Sequence, residues 1–261
     1  MVEGVDRIVC VGGDGTLNEV INGMFLGNAA RAESVLVGYI PCGTGCDFAR
    51  ALSVPANPFH ALKAVAHGNR RRLDLGCMVF RGNDGSTVRR YFHNVASFGL
   101  GGEVDERVNR SSKALGGFIS FIRATLVSVL LFRKKRIRYR LDRGPVRETR
   151  AWNVAVANGQ YHGGGMWVAP NALPDDGLLH ITVIGDFALW EVFFHLPKLY
   201  RGTLLRLSDV RSFSCRRIEA WSHQRVLLDV DGEQPGRLPA CLEIVPKALT
   251  LAVRSGVGSL T

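Results

Sequence analysis

Residues 7–24 read RIVCVGGDGTLNEVINGM, and no other stretch of this sequence narrows the choice of fold as far. Ile8 to Val11 is a short apolar run closed by glycine, the pattern of a buried parallel strand. Gly12-Gly13-Asp14-Gly15 follows, a turn with so little side-chain bulk that backbone can approach a ligand closely. Thr16 is expected to open a helix, with Thr16-x-x-Glu19 as its capping box. Leu17, Val20, Ile21 and Met24 recur at the spacing of one helix face, which predicts burial on that side. Strand, tight turn and helix in succession begin an α/β fold. They also build an anion site, because the first helical N–H groups lack intrahelical partners and the helix dipole puts partial positive charge there. Phosphate is the expected guest. A glycine turn that only packs strand on helix is the plainer alternative. Asp14 weighs against it, since a carboxylate beside a phosphate cradle calls for Mg²⁺ or a substrate hydroxyl to face.

The same theme returns at once. Val35 to Ile40 reads as a second buried strand, Pro41-Cys42-Gly43-Thr44-Gly45 as a turn, and Asp47 to Leu52 as a short helix. Two such turns at neighbouring strand tips would face one crevice, where open α/β sheets bind ligands. Pro55 to Gly68 holds another helix, with Phe59, Leu62, Val65 and Ala66 as its apolar face. Arg72 to Gly76 reads as a strand with Asp74 between leucines, either a solvated edge residue or a metal or hydroxyl contact in the crevice.

After Gly76 the texture becomes β-rich. Asn83-Asp84-Gly85 marks a hairpin. Lys113 to Phe132 is an apolar helix that runs into the basic segment Arg133 to Arg140. Trp152 to Ala157 is a strand, followed by a loop with three consecutive glycines and by the turn Asp175-Asp176-Gly177. Phe187 to Arg206 is helical around Pro197, and Arg211 to Ala220, Val226 to Val230, Cys241 to Val245 and Leu249 to Val253 are strands. The expected architecture is α/β with two lobes and a cleft. An α/β nucleotide-binding lobe takes residues 1–76 and 247–261, and a β-rich, sandwich-like lobe takes 77–246.

The chain has 33 Lys and Arg against 23 Asp and Glu, a net charge of +10, so an anionic partner is expected. The basic residues form no recognised nucleic-acid module, which leaves nucleotide and anionic lipid. Six cysteines show neither CxxC nor zinc spacing and are expected as free thiols in a reducing cytosol. No leader peptide is expected, since Met1 runs straight into a polar segment. Gly117 to Phe132, the longest apolar stretch, carries Arg123 and is too short for a membrane span.

Six motifs now stand in order: GGDGTLNEV at 12–20, IPCGTGCDFARAL at 40–52, LDLG at 73–76, FHNVASFGLGGEV at 92–104, NGQYHGGGMWVAPNALPDDGLLHI at 158–181 and DVDGEQ at 229–234. Together they resemble the bacterial diacylglycerol kinase-like lipid kinases over nearly the whole chain. The resemblance implies an ATP-dependent transfer of a phosphoryl group to a lipid hydroxyl at the membrane surface, in a cytoplasmic or peripheral protein, with a homodimer as one option. It implies ATP contacts from Gly12, Gly13, Asp14, Gly15, Thr16, Leu17, Asn18, Gly43 and Thr44. It implies Glu233 as general base, with Asp14 as its competitor and Asp74 near the transfer centre. It implies a structural Mg²⁺ at Asp176 with the carbonyls of Leu173 and Leu178. Two departures accompany it. The family's usual opening βαβ stretch, with a further ATP contact, is not seen ahead of GGDGT, and Cys46 stands where asparagine is common. A kinase of soluble small molecules, like the NAD kinases, and a truncated nucleotide-binding relative remain the alternatives.

Overall fold

The computed structural model describes the chain except for residues 1–4, 26–31, 33, 44, 53, 111–116 and 255–261. It opens with β1 (Arg7–Gly12), α1 (Asp14–Phe25), β2 (Leu36–Pro41), α2 (Asp47–Ala51) and α3 (Pro58–His67). β1 runs parallel to β2 from Arg7 opposite Leu36 to Gly12 opposite Pro41, so both glycine turns leave the same end of the sheet. β2 is buried throughout. β1 is not, contrary to the sequence expectation: it pairs only with β2 among the described strands, and Val9 and Val11 are 45% and 59% exposed. α1 buries Leu17, Asn18, Ile21 and Met24. α3 starts at Pro58, where Asn57 accepts the N–H groups of Phe59 and His60 at 2.9 and 3.4 Å. Its buried face is Ala61, Ala64 and Val65, whereas Phe59 and Leu62 face out. A β-carbon on Gly38 of β2 would lie 2.6 Å from Val65, so the helix sits too close to the strand for the larger side chains to turn inward.

β3 (Asn69–Gly82) and β4 (Thr87–Phe92) form the predicted hairpin, with Gly85 at φ +88° in its turn. β5 (Val95–Gly99), α4 (Leu100–Arg110), α5 (Gly117–Leu131), β6 (Lys135–Leu141), β7 (Val146–Ala151) and β8 (Asn153–Ala157) follow. Next come the short pair β9 (Tyr161–His162) and β10 (Met166–Trp167), then β11 (Leu179–Ile184) and α6 (Leu189–Tyr200). β12 (Val210–Cys215), β13 (Arg217–Trp221), β14 (Leu228–Val230) and β15 (Gly236–Val253) complete the chain. The expected strand from Arg211 to Ala220 is two strands. β12 pairs β11 in one sheet and β13 pairs β15 and β6 in another. The chain changes sheet at Arg216, where Asp142 accepts the N–H groups of Arg216 and Arg217, each at 2.9 Å.

Among the described residues β15 is the spine. β3 runs along one of its edges, from Val253 opposite Asn69 to Gly236 opposite Gly82, while β2 and β13 share the other edge. The segments expected as separate strands at 241–245 and 249–253 are therefore one strand with an irregularity between Val245 and Leu249. β3 likewise joins the two segments read on either side of Gly76. Leu73, Leu75, Leu249, Leu251 and Val253 pack with α1 and β2 in one core. Met78, Phe80, Ala240 and Leu242 pack in a second core against the five-stranded sheet β12-β11-β8-β5-β14, giving a sandwich. The two cores thus share two continuous strands, which holds the lobes in a fixed relation. None of the six cysteines is in a disulfide.

Gly76 marks the junction. A β-carbon there would lie 2.0–2.4 Å from the ring of Phe92, which is fully buried across the β3–β4 ladder. Gly76→Ala is expected to lower stability by about 1–3 kcal/mol in chemical denaturation, the range for overpacking a core. In a double-mutant cycle with Phe92→Leu the two losses should add to less than their sum, because the smaller side chain vacates the position the methyl needs. Strict additivity would show that the ring is not what Gly76 accommodates.

Candidate active site

The two glycine turns touch. A β-carbon on Gly43 would lie 2.5 Å from the α-carbon of Gly13, and Cys42 donates its N–H to the Gly12 carbonyl at 2.8 Å. Helix α1 begins at Asp14, not Thr16, because the Gly13 carbonyl already accepts the Leu17 N–H at 3.1 Å. The expected Thr16–Glu19 capping box is therefore not formed. Thr16 lies inside the helix, over Gly12, where a β-carbon would come within 2.6 Å of its hydroxyl oxygen. The N–H groups of Asp14, Gly15 and Thr16 are the ones a helix start leaves without helical partners. Leu17 and Asn18 are buried, so of the predicted cradle Gly12 to Thr16 line the turn and these two anchor it. Thr44 lies outside the described residues.

Asp14 caps the neighbouring helix. Its carboxylate accepts the N–H groups of Asp47 and Phe48 at 2.8 and 3.3 Å, the first amides of α2. Cys46, at the N-cap of α2, provides no side-chain cap and sits at φ 49°, a left-handed backbone that suits asparagine better. Its thiol lies 3.2 Å from the Gly43 N–H nitrogen and 3.4 Å from the Gly43 oxygen, so it closes the turn upon itself.

A third glycine turn reaches the same place. Gly163, Gly164 and Gly165 have φ of 60°, 81° and 103°, three successive left-handed residues that only glycine tolerates in a row. Gly164 donates its N–H to Asp47 at 2.8 Å, and a β-carbon on Gly45 would lie within 3.8 Å of Asp14, Asp47 and Gly164. Asp47 is 3% exposed, and burial pushes its carboxyl above the usual range.

The Asp229-Val230-Asp231-Gly232-Glu233 turn closes the other side. The Asp231 side chain is buried and accepts the N–H groups of His93, Asn94 and Val95 at 3.0, 3.1 and 2.9 Å and the amide of Asn18 at 2.7 Å, with His93 Nδ1 at 2.8 Å. Burial alone would raise its pKa; the His93 charge and hydrogen bonds outweigh it and hold the carboxyl below the usual range. Arg90 bridges Asn18, at 2.9 Å, and the carboxylate of Glu233, whose side chain is 43% exposed. Asp229, wholly buried, accepts Ser97 Oγ and the Gly232 N–H, both at 3.0 Å, and lies 3.1 Å from His162 Nε2. Burial opposes the charged form of His162, but Asp229 prevails and pushes its pKa up to about 10. Of these residues the sequence reading singled out Asn18 and Glu233. Asp229, Asp231 and His162 lie within the DVDGEQ and NGQYHGGG motifs but had no separate signal.

Asp74 is committed to the backbone, and Asn158 links its carbonyl to that of His93, at 2.9 and 2.8 Å. Asp74 is fully buried at the lobe junction, where its two oxygens accept the N–H groups of Gly177 at 2.6 Å and Lys247 at 2.7 Å. It ties β3 to the β15 irregularity, where Lys247 is at φ 55°, and to the Asp175-Asp176-Gly177 turn. In that turn Asp175 pairs with Arg71 at 2.7 Å, and Asp176 accepts the Leu178 N–H and faces His180 Nε2, both at 2.9 Å. Among the described residues no three His, Cys, Asp or Glu side chains are grouped to hold a metal. The predicted set of one carboxylate and the Leu173 and Leu178 carbonyls is all oxygen, which suits a hard cation such as Mg²⁺.

Beside the Asp229 turn opens an apolar chamber of about 140 Å³ lined by Leu100, Val104, Val129, Trp152, Val168 and Phe187, with Asp105 and His162 among its few polar groups. α5 and α6 flank it. No helix of the described residues is long and apolar enough to cross a membrane.

Comparison with known proteins agrees with this arrangement. The model of the diacylglycerol kinase catalytic domain matches residues 1–78, and that of the YegS C-terminal NAD kinase beta sandwich-like domain matches residues 94–253. A Chromohalobacter salexigens protein named "Probable lipid kinase YegS-like" is 28% identical over 99% of this chain and 79% of its own length. A Mycobacterium tuberculosis protein named diacylglycerol kinase is 27% identical over 95% of this chain and 77% of its own. A solved Bacillus anthracis structure, described as a candidate diacylglycerol kinase, superposes with a TM-score of 0.76 at 26% identity, over 98% of this chain and 79% of the other. Touching glycine turns, a β-sandwich joined to them through shared strands and both domain matches lead to one conclusion: the chain belongs to the diacylglycerol kinase-like lipid kinase family.

Proposed function

We propose that this protein is an ATP-dependent lipid kinase that transfers the γ-phosphoryl group of ATP to the hydroxyl of diacylglycerol or a related lipid. The observation that carries the reading is the state of the three predicted carboxylates. Asp14 and Asp74 are committed to backbone N–H groups, whereas Glu233 is half-exposed and held by one arginine that also grips α1. Glu233 is the group able to accept a proton from an alcohol as its oxygen bonds to phosphorus and ADP departs. Asp14 and Asp74 position the turns. The phosphates rest on the amides of Asp14, Gly15 and Thr16 and on the Gly43 turn. Mg²⁺ bound with the nucleotide neutralises phosphate charge. The chamber beside the Asp229 turn takes the acyl portion, for which a kinase of soluble small molecules has no use.

α6 supplies the approach to a membrane. Val192, His195, Leu196 and Leu199 line the chamber, while Trp190, Phe193 and Phe194 on its other side are 64%, 41% and 74% exposed. Large apolar side chains left in water on a helix whose other side already lines a chamber mark an interaction surface. Leu130 and Leu131 of α5, also exposed, and the basic Arg133, Lys198 and Arg201 continue the surface. We infer that it seats on an anionic bilayer with the chamber mouth toward the lipid.

Three outcomes are expected. With radiolabelled ATP and a lipid panel, the protein labels diacylglycerol or a close relative, and Glu233→Gln lowers kcat by about 10²–10⁴-fold; full labelling by the variant removes Glu233 from the role. In sedimentation with anionic vesicles, Trp190→Ser/Phe194→Ser binds about tenfold less than the parent or worse, since each large apolar side chain buried is worth about 1.5–3 kcal/mol; unchanged binding places the contact surface elsewhere. Mg²⁺ at about 100 times its Kd stabilises a specific site by about 2.7 kcal/mol. The parent should therefore melt higher in Mg²⁺ than in chelator, and Asp176→Asn should erase the difference. A shift that survives this substitution disproves the Asp176 site.

A further inference from the structure

His195 has no task in the machinery above. It lies on α6 among the residues that line the chamber, and its Nδ1 is buried without a hydrogen-bond partner among the described residues. Two other ring donors of the lining are engaged. Trp152 donates its indole N–H to the Phe187 carbonyl at 2.9 Å, and His162 Nε2 lies 3.1 Å from Asp229. The Phe187 ring meets His195 edge to face, with centroids 5.1 Å apart. Val192, Leu196 and Leu199, which share the chamber with His195 on the same helix, are all apolar.

Packing alone does not account for an imidazole here. A buried polar nitrogen left unpaired costs free energy that a leucine or a phenylalanine in its place would not. Neutral imidazole carries one N–H and one bare nitrogen, so Nδ1 can either donate or accept. Its partner arrives with whatever fills the chamber. A hydrocarbon chain offers nothing to it. A carbonyl oxygen does, since it accepts the Nδ1–H and neither side carries a charge. In an acyl glycerol the ester groups join the hydroxyl-bearing backbone to the chains. A lipid with its hydroxyl toward the Asp229 turn and its chains toward α6 draws those carbonyls through this space. An ether linkage has no oxygen projecting from the chain.

We propose that His195 selects the linkage of the lipid acceptor: its Nδ1–H donates to an ester carbonyl, so that acyl glycerols are preferred over acceptors whose chains are joined by ethers. This deepens the lipid-kinase reading and rests on it. His195 touches the lipid at the ester; proton removal remains with Glu233.

The test uses the full chain as parent, His195→Phe and His195→Asn, with a diacylglycerol and the dialkylglycerol of the same chain length in the same detergent micelles. Phenylalanine keeps an aromatic edge against Phe187 and removes the donor, whereas asparagine puts an amide N–H near the place of Nδ1. The parent should use the diacyl lipid about threefold to tenfold better in kcat/KM, the reach of one neutral hydrogen bond. His195→Phe should bring the diacyl lipid down to the dialkyl level through KM, with kcat little changed, and leave the dialkyl lipid within about twofold, the mark of lost uniform binding. His195→Asn should retain the preference. Equal use of the two lipids by the parent, a fall shared by both lipids in His195→Phe, a preference that survives in that variant, or its loss in His195→Asn overturns the proposal while leaving a lipid kinase. Should the parent label neither lipid, quenching of tryptophan fluorescence by the brominated diacyl and dialkyl lipids decides, since Trp152 lines the chamber. Stronger quenching by the diacyl lipid that is lost in His195→Phe upholds the ester contact and refutes the kinase reading. No quenching, quenching alike by both lipids, or a difference unchanged in His195→Phe refutes the contact.

Discussion

Asp231 gathers four hydrogen-bond donors on two oxygens, three backbone amides from residues 93–95 and the Asn18 side chain, and pairs with the ring of His93. The carboxylate is wholly inside the protein, where an ion is tolerated only when each oxygen is fully supplied. Its supply comes from both lobes at once, since Asn18 belongs to α1 and residues 93–95 lead into the sandwich. Asp231 also adopts φ 49° in the turn that carries Glu233. The direction of that turn is thereby set by charge satisfaction, and α1 cannot shift without stranding a buried ion. Breaking such a network by removing one partner costs about 3–5 kcal/mol. Whatever chemistry Glu233 performs depends on this anchor.

The shared strands do for the cleft what Asp231 does for the turn. β3 and β15 each extend through both cores, so the junction is a ladder of backbone hydrogen bonds rather than a linker. Asp74 reinforces that ladder at its irregularity between Val245 and Leu249 by accepting the Lys247 N–H, while Arg72 donates to the Lys247 carbonyl at 2.9 Å. The Asp175-Asp176-Gly177 turn hangs from the same carboxylate. A metal on that turn would stabilise the strand junction that Asp74 ties together.

Much of this was legible in the residues. The strand–turn–helix at 7–25, its echo at 36–51 and the hairpin at Asn83-Asp84-Gly85 follow from local rules, and they hold. What failed was set by tertiary contact. Thr16 looks like an N-cap, yet the helix has already begun at Asp14, where the Gly13 carbonyl accepts the Leu17 N–H. Phe59 and Leu62 fit a buried stripe until Gly38 brings β2 too close. The run 211–220 reads as one strand because nothing local reveals that Asp142 turns it into another sheet. That Asp74 holds amides more than a hundred positions away in sequence was equally beyond local reading. His195 was invisible, since one histidine in an apolar helix carries no pattern until the chamber surrounds it.

Three walls of the crevice are bare main chain: Gly12-Gly13, Gly43 and Gly163 to Gly165, two of them in atomic contact and the third wound left-handed throughout. Such walls recognise outline and amide dipoles, and they hold no functional groups that a point substitution could exchange. Divergence among descendants of this scaffold is therefore channelled away from the glycine side. On the proposed lipid-kinase reading, new substrate preferences are written in the side chains of the chamber, where replacement leaves the glycine turns intact.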